Sequence, residues 1–170
     1  MATDEEVLKI INEYDIAPFG SQRQINAIRA LGEAGGALAV SKIISIYDLS
    51  STGSIQQIES IQALGNAGGD EAIDKIISIY NLSSIGSGKQ IEAIRALGNC
   101  GGDKAVIQLI LIYDSASMGS SRQIEVIQAL GEAGGDLAID KLRTIYNSSS
   151  LGSARRFEAK KALDKLGVNP

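Results

Sequence analysis

Apolar positions along this chain recur in two alternating patterns. Between Ser54 and Ala67, Ile58, Ile61 and Leu64 fall at i, i+3 and i+6, which places them on one face of a helix. Between Asp70 and Asn81, Ile73, Ile76, Ile77 and Tyr80 fall at i, i+3, i+4 and i+7, the stripe of a second amphipathic helix. A diglycine, Gly68-Gly69, separates the two, and the polar stretch NLSSIGS follows the second. The pair of patterns returns every 33 residues: ALGEAGG begins at Ala30, ALGNAGG at Ala63, ALGNCGG at Ala96 and ALGEAGG at Ala129. All five tyrosines (Tyr14, Tyr47, Tyr80, Tyr113, Tyr146) keep the same period, as do Gly20, Gly53, Gly86, Gly119 and Gly152. A fixed period of this length marks stacked two-helix units. The diglycine therefore reads as a corner that every unit needs, and not as a phosphate-cradling loop, which would occur once.

The predicted fold is an all-α, α-α superhelix of about ten helices in one domain over residues 1–170. A half repeat occupies 1–20, full repeats 21–53, 54–86, 87–119 and 120–152, and a capping helix 153–170. The first helix of each repeat is called A and the second B. Ser-x-x-Gln before each helix A (Ser21/Gln24, Ser54/Gln57, Ser87/Gln90, Ser120/Gln123) predicts a capping box. Gly68 is expected as a left-handed residue just past helix A. Asp4, Asp70, Asp103 and Asp136 are expected to cap helices B, with Ala37 leaving one cap weaker by about 1 kcal/mol. The mostly apolar residue before the link glycine (Phe19, Thr52, Ile85, Met118, Leu151) is expected to pack back on the next helix A as a staple. The tyrosine ladder is expected to line the core.

Composition changes this picture mainly by exclusion. There is no histidine, which removes the commonest general acid-base and metal ligand and rules out Ser-His-Asp and Cys-His catalysis. No cofactor or metal site stands out, and the chain is read as no enzyme. The net charge of -4 argues against a nucleic-acid partner. The acidic start MATDEEVLKIINEY does not read as a secretory signal, no run of 18 apolar residues suggests a membrane span, and the single Cys100 fits a reducing, cytoplasmic setting. Cys100 replaces Ala34, Ala67 and Ala133 at the corner and reads as a packing residue.

The segment EAIRALGNCGGDKAV (Glu92 to Val106) resembles the HEAT-like repeat of the phycobilisome-lyase type: an Ala-x-x-Ala-Leu-Gly run, a short glycine turn, an acidic residue and a second helix. The resemblance covers nearly the whole chain. It departs in having two glycines at the turn, where the family often has Gly-Asp, and a slightly longer link. It implies an α-helical superhelix used mostly to bind proteins, with some members assisting bilin lyases. The family's di-iron hydroxylase branch uses His-Glu pairs, which a chain without histidine cannot supply.

The resemblance also implies that helices B line the concave face. The rows facing away from the core stripe are Leu38, Glu71, Lys104 and Leu137; Leu8, Ser41, Asp74, Ile107 and Asp140; Lys9, Lys42, Lys75, Gln108 and Lys141; and Asn12, Ser45, Ser78, Leu111 and Thr144. Ile107 and Leu111 sit where the other full repeats place Ser, Asp or Thr and are i, i+4 neighbours. With Leu38 and Leu137 they suggest the apolar centre of a protein-binding groove, rimmed by Asp74, Lys75, Lys104 and Asp140. A neighbouring loop, a second copy of the chain or water alone are the other occupants. Asp74 and Asp140 read as solvated repeats of one position and not as a catalytic pair, and Glu59, Glu92 and Glu125 as solvated surface. The expected function is a protein-binding scaffold or adaptor. The alternative is an accessory factor in bilin ligation or phycobilisome assembly or turnover. Basic residues in the last helix and acidic ones in the first read as solubilising caps, with head-to-tail self-association the alternative.

Overall fold

The computed structural model describes residues 2–170. Among them lie ten α-helices and no strand. Helices A are α2 (Gln22–Ala34), α4 (Ile55–Ala67), α6 (Gly88–Cys100), α8 (Ser121–Ala133) and α10 (Ala154–Lys165). Helices B are α1 (Asp4–Ile16), α3 (Gly36–Leu49), α5 (Asp70–Leu82), α7 (Gly102–Ser115) and α9 (Gly135–Ser148). The chain forms two compact units, Met1–Ala96 and Leu97–Pro170. In the first, α2 packs on α4 while α1, α3 and α5 follow one another; in the second, α8 packs on α10 while α7 is followed by α9. This is the successive stacking of helix pairs that defines an α-α superhelix.

The apolar stripes form the core. Ile28, Leu31, Ile61, Leu64, Ile94, Leu97, Ile127 and Leu130 of helices A are fully buried, as are Ile43, Ile76 and Leu109 of helices B. Each such side chain contributes about 1.5–3 kcal/mol of transfer free energy. Helix glycines let the A helices touch. A Cβ added to Gly65 would lie 2.9 Å from Ala96 Cα, and one on Gly98 2.9 Å from Ala129 Cα. Ser60 of α4 has a fully buried hydroxyl that has no hydrogen-bond partner. Repeat-equivalent positions hold Ala27, Ala93, Val126 and Ala159, none of them polar. Ser60→Ala should therefore raise stability by about 1 kcal/mol in thermal or urea unfolding; a loss of that size would mean the hydroxyl is satisfied.

The caps differ from the sequence expectation in three ways. First, no aspartate caps a helix B. Gly69 is the N-cap of α5, with Asp70 the first helical residue, and Gly35, Gly101 and Gly134 each end one helix and begin the next. A one-residue joint leaves no room for an aspartate in extended conformation. Asp70, Asp103 and Asp136 instead sit in the first turn, where they favour the helix dipole. The expected penalty at Ala37 shrinks accordingly. In α1 the cap is Thr3, in a reciprocal box with Glu6. Second, Gly68 is not left-handed helical: its φ of 66° and ψ of -166° lie in the mirror-image extended region that only glycine enters freely.

Third, the Ser-x-x-Gln motif is not a capping box. Ser54 Oγ does accept the Gln57 amide. Gln57, however, is buried and accepts from Gly53 N at 3.0 Å, while its Nε2 donates to the carbonyls of Tyr47 at 3.4 Å and Ser50 at 3.3 Å. The glutamine ties the end of one helix B to the start of the next helix A. Gln24 and Gln123 make the same bridge to Tyr14 and Tyr113. In the fifth copy Arg156 donates to Tyr146 O at 2.8 Å and Ser149 O at 3.3 Å.

Candidate interaction surface

Helix periodicity placed Ile107 and Leu111 on one outward face, and there they lie. On α7 they are 51% and 57% exposed, one turn apart, while Val106, Leu109 and Ile112 of the same helix are buried. Leu137 on α9 is also exposed, in the same unit and on a helix that contacts α7. Leu38 is exposed too, but belongs to the N-terminal unit. Asp74 and Asp140 are exposed, in different units; Lys104 is half-buried.

The lysine row is not a solvated rim. Lys75 Nζ pairs with Asp48 at 2.6 Å on the preceding helix B and lies 5.2 Å from the centre of the Tyr47 ring. Lys42 makes the same arrangement with Asp15 and Tyr14, and Lys141 with Asp114 and Tyr113. These lysines stitch successive helices B, a contact between residues 27 apart that a single-helix projection cannot show. The tyrosines are thus partly lid and partly core: Tyr80 and Tyr113 are buried, Tyr14, Tyr47 and Tyr146 half-buried. Burial raises the Tyr14 and Tyr47 phenols above their ordinary pKa, and Asp15 and Asp48 add to it. At the corresponding positions stand Gln108 of the third full repeat and Asn81 of the second, so both charges drop out together. The helix that carries Ile107 and Leu111 therefore lacks the lysine that its counterparts α3, α5 and α9 have.

The glutamates of helices A also serve the stack. Glu59 receives Arg29 Nε at 2.8 Å, Glu92 receives Gln62 at 3.0 Å, and Glu158 receives Gln128 at 3.1 Å. They hold the outer rim of the A–A interface and are not solvated surface. Cys100 is half-buried, and burial pushes its thiol up to about 11, so it is protonated and unreactive at neutral pH.

The expected staples are overturned. Phe19, Ile85, Met118 and Leu151 all project into solvent. Each link bends at a positive-φ glycine immediately after the apolar residue, which turns that side chain away from the next helix. The last residues of three helices B behave alike: Ile16, Leu49 and Leu82 are exposed, the latter two 85%. Since α1, α3 and α5 stack in succession, the exposed ends Ile16, Leu49 and Leu82 recur along one edge of the N-terminal unit, with exposed Phe19 and Ile85 in the links that follow α1 and α5; this row of apolar side chains is termed the link ridge. Its signal was present in the sequence as large apolar residues inside Ser- and Gly-rich links.

Among the described residues no group of three or more His, Cys, Asp or Glu is placed to hold a metal ion, and no helix is long and apolar enough to cross a membrane. No family model matches this sequence, and no curated protein is similar to it.

Proposed function

We propose that this chain is a non-enzymatic scaffold that binds another protein through apolar side chains its stacked helices leave in solvent. The ridge of Ile16, Phe19, Leu49, Leu82 and Ile85 carries the reading, because large apolar side chains held this far into water by well-formed helix ends gain most from being covered. The Ile107–Leu111 face of α7, with Leu137 beside it, is the second surface. On this reading the repeat is of the HEAT-like, phycobilisome-lyase type, on the strength of the Glu92–Val106 motif, and the protein works in the cytoplasm. The same motif favours one alternative, an accessory role to a bilin lyase or in phycobilisome assembly or turnover. Visible absorbance in material co-purified from a pigmented host would favour that alternative. Nucleic acid is the weaker partner, since the net charge is -4.

Affinity capture from host lysate tests the proposal with three proteins: wild type, Leu49→Asp/Leu82→Asp and Ile107→Asp/Leu111→Asp, each first shown helical and monodisperse. A protein retained by wild type and lost at least tenfold by the first variant supports the ridge. Loss only by the second variant moves the site to α7. Equal retention by all three overturns both surfaces.

A further inference from the structure

Each helix A but the last carries an isoleucine one turn before its interface glycine. Ile28, Ile61, Ile94 and Ile127 are fully buried. Gly32, Gly65, Gly98 and Gly131 each admit the alanine of the next helix A so closely that an added Cβ would fall 2.8 or 2.9 Å from it. In α10 both positions are changed. Lys160 stands in the isoleucine position and Asp164 in the glycine position, and they pair with each other at 2.7 Å, both about half exposed. Phe157, at the position of buried Ile25, is 67% exposed. It lines a shallow groove of about 470 Å³ with Tyr146, Arg156 and Lys160.

The other end is not edited in this way. Ala30 of α2 is the residue that would meet an interface glycine, as Ala63, Ala96, Ala129 and Ala162 do. Those four are buried, whereas Ala30 is half-buried. Among the described residues α1 is a helix B that precedes the first helix A, and α10 a helix A that follows the last helix B. The two are complementary halves of one repeat.

We propose that the Lys160–Asp164 pair is a stop that prevents a second copy of this chain from stacking its α1 and α2 onto α10 and completing a repeat across two molecules. The repeat's own A–A interface defines the docking geometry and shows what is wrong with the fifth copy. Stacking would bury the Lys160 ammonium where an isoleucine belongs, and desolvating a paired charge is unfavourable unless further hydrogen bonds replace the lost water. The Asp164 side chain would occupy the space of the incoming Ala30. A contact of this kind is head-to-tail and need not close, so without the stop it would propagate. The opposite charges of the two end helices are therefore outweighed by local chemistry at two positions.

Sedimentation velocity over a range of concentrations tests this on the full chain. Wild type is expected to stay monomeric. Lys160→Ile/Asp164→Gly is expected to show a weight-average mass that at least doubles with concentration, with unchanged helical circular dichroism. Adding Ala30→Leu to that variant should return it to monomer, because the leucine fills the space the new glycine opens. If the double variant precipitates, Asp164→Gly alone, with and without Ala30→Leu, gives the same comparison at weaker association. A folded double variant that remains monomeric, or association that Ala30→Leu leaves intact, overturns the proposal.

Discussion

Gly65→Ala is expected to melt well below wild type, and Gly88→Ala at or slightly above it, although both replace a helical glycine. Alanine is favoured over glycine inside a helix by about 1 kcal/mol, less at a helix end. For Gly88, at the start of α6 with nothing within 4 Å of the added Cβ, that preference is the only effect. For Gly65 the added Cβ lies 2.9 Å from Ala96 Cα and 3.0 Å from Ala96 O. These are backbone atoms, so relief requires α4 and α6 to move apart, not a side chain to turn. Overpacking of this kind costs about 1–3 kcal/mol, and backbone contact puts Gly65 at the upper end. Subtracting the propensity gain leaves a loss of about 2 kcal/mol, or about 4–8 °C for a chain of this size. Thermal unfolding by circular dichroism decides the matter. Equal melting temperatures for the two variants would mean that the A–A interface is looser than the close approach of Gly65 to Ala96 implies.

Gly65 also shows how far the sequence could be read. Its recurrence with Gly32, Gly98 and Gly131 at a period of 33 was visible, and with it the repeat, the helix pairs and their limits to within a residue. The reason for the glycine was not visible, because it lies in a neighbouring helix 31 residues away. The same limit explains the other departures. Lys75 looks like a rim residue on a projection of α5 alone, and its pairing with Asp48 exists only once α3 is beside it. Gln57 looks like half of a capping box because Ser54 and the spacing are right, yet its amide is drawn away by two carbonyls at the end of the preceding helix. Ile107 and Leu111 were legible because outward placement depends only on the periodicity of their own helix. The link ridge was misread because a staple and an exposed tip share the same residue types. They differ only in backbone direction at the following glycine.

Gln57→Glu is expected to destabilise the fold by about 2–4 kcal/mol at neutral pH, through buried groups left unpaired or opposed, and to recover much of that loss in acid. The substitution is isosteric, so packing is kept. One oxygen of the new side chain can still accept from Gly53 N. The other would face the carbonyl oxygens of Tyr47 and Ser50, which now receive an N–H. A carboxylate has nothing to donate there and is repelled and desolvated; a protonated carboxyl donates its O–H and restores one of the two bonds. The folded state therefore holds the proton more tightly than the unfolded chain, and the glutamate pKa in the fold is raised above about 4.3. Stability relative to wild type is then fully present below the unfolded pKa and is lost as pH rises through the folded one. Gln57→Leu is the reference: it abolishes the bonds at every pH, so its deficit against wild type should not depend on acid. The experiment compares urea unfolding of the three proteins between neutral and mildly acidic pH. A glutamate variant that matches wild type at neutral pH, or whose deficit stays parallel to that of the leucine variant, would show that the bridge does not hold the link. The fifth copy already displays the polarity of the site. There Arg156 donates to Tyr146 O and Ser149 O and lies 4.0 Å from the Tyr146 ring centre. A pair of carbonyls that is satisfied by a guanidinium has the wrong sign for a carboxylate.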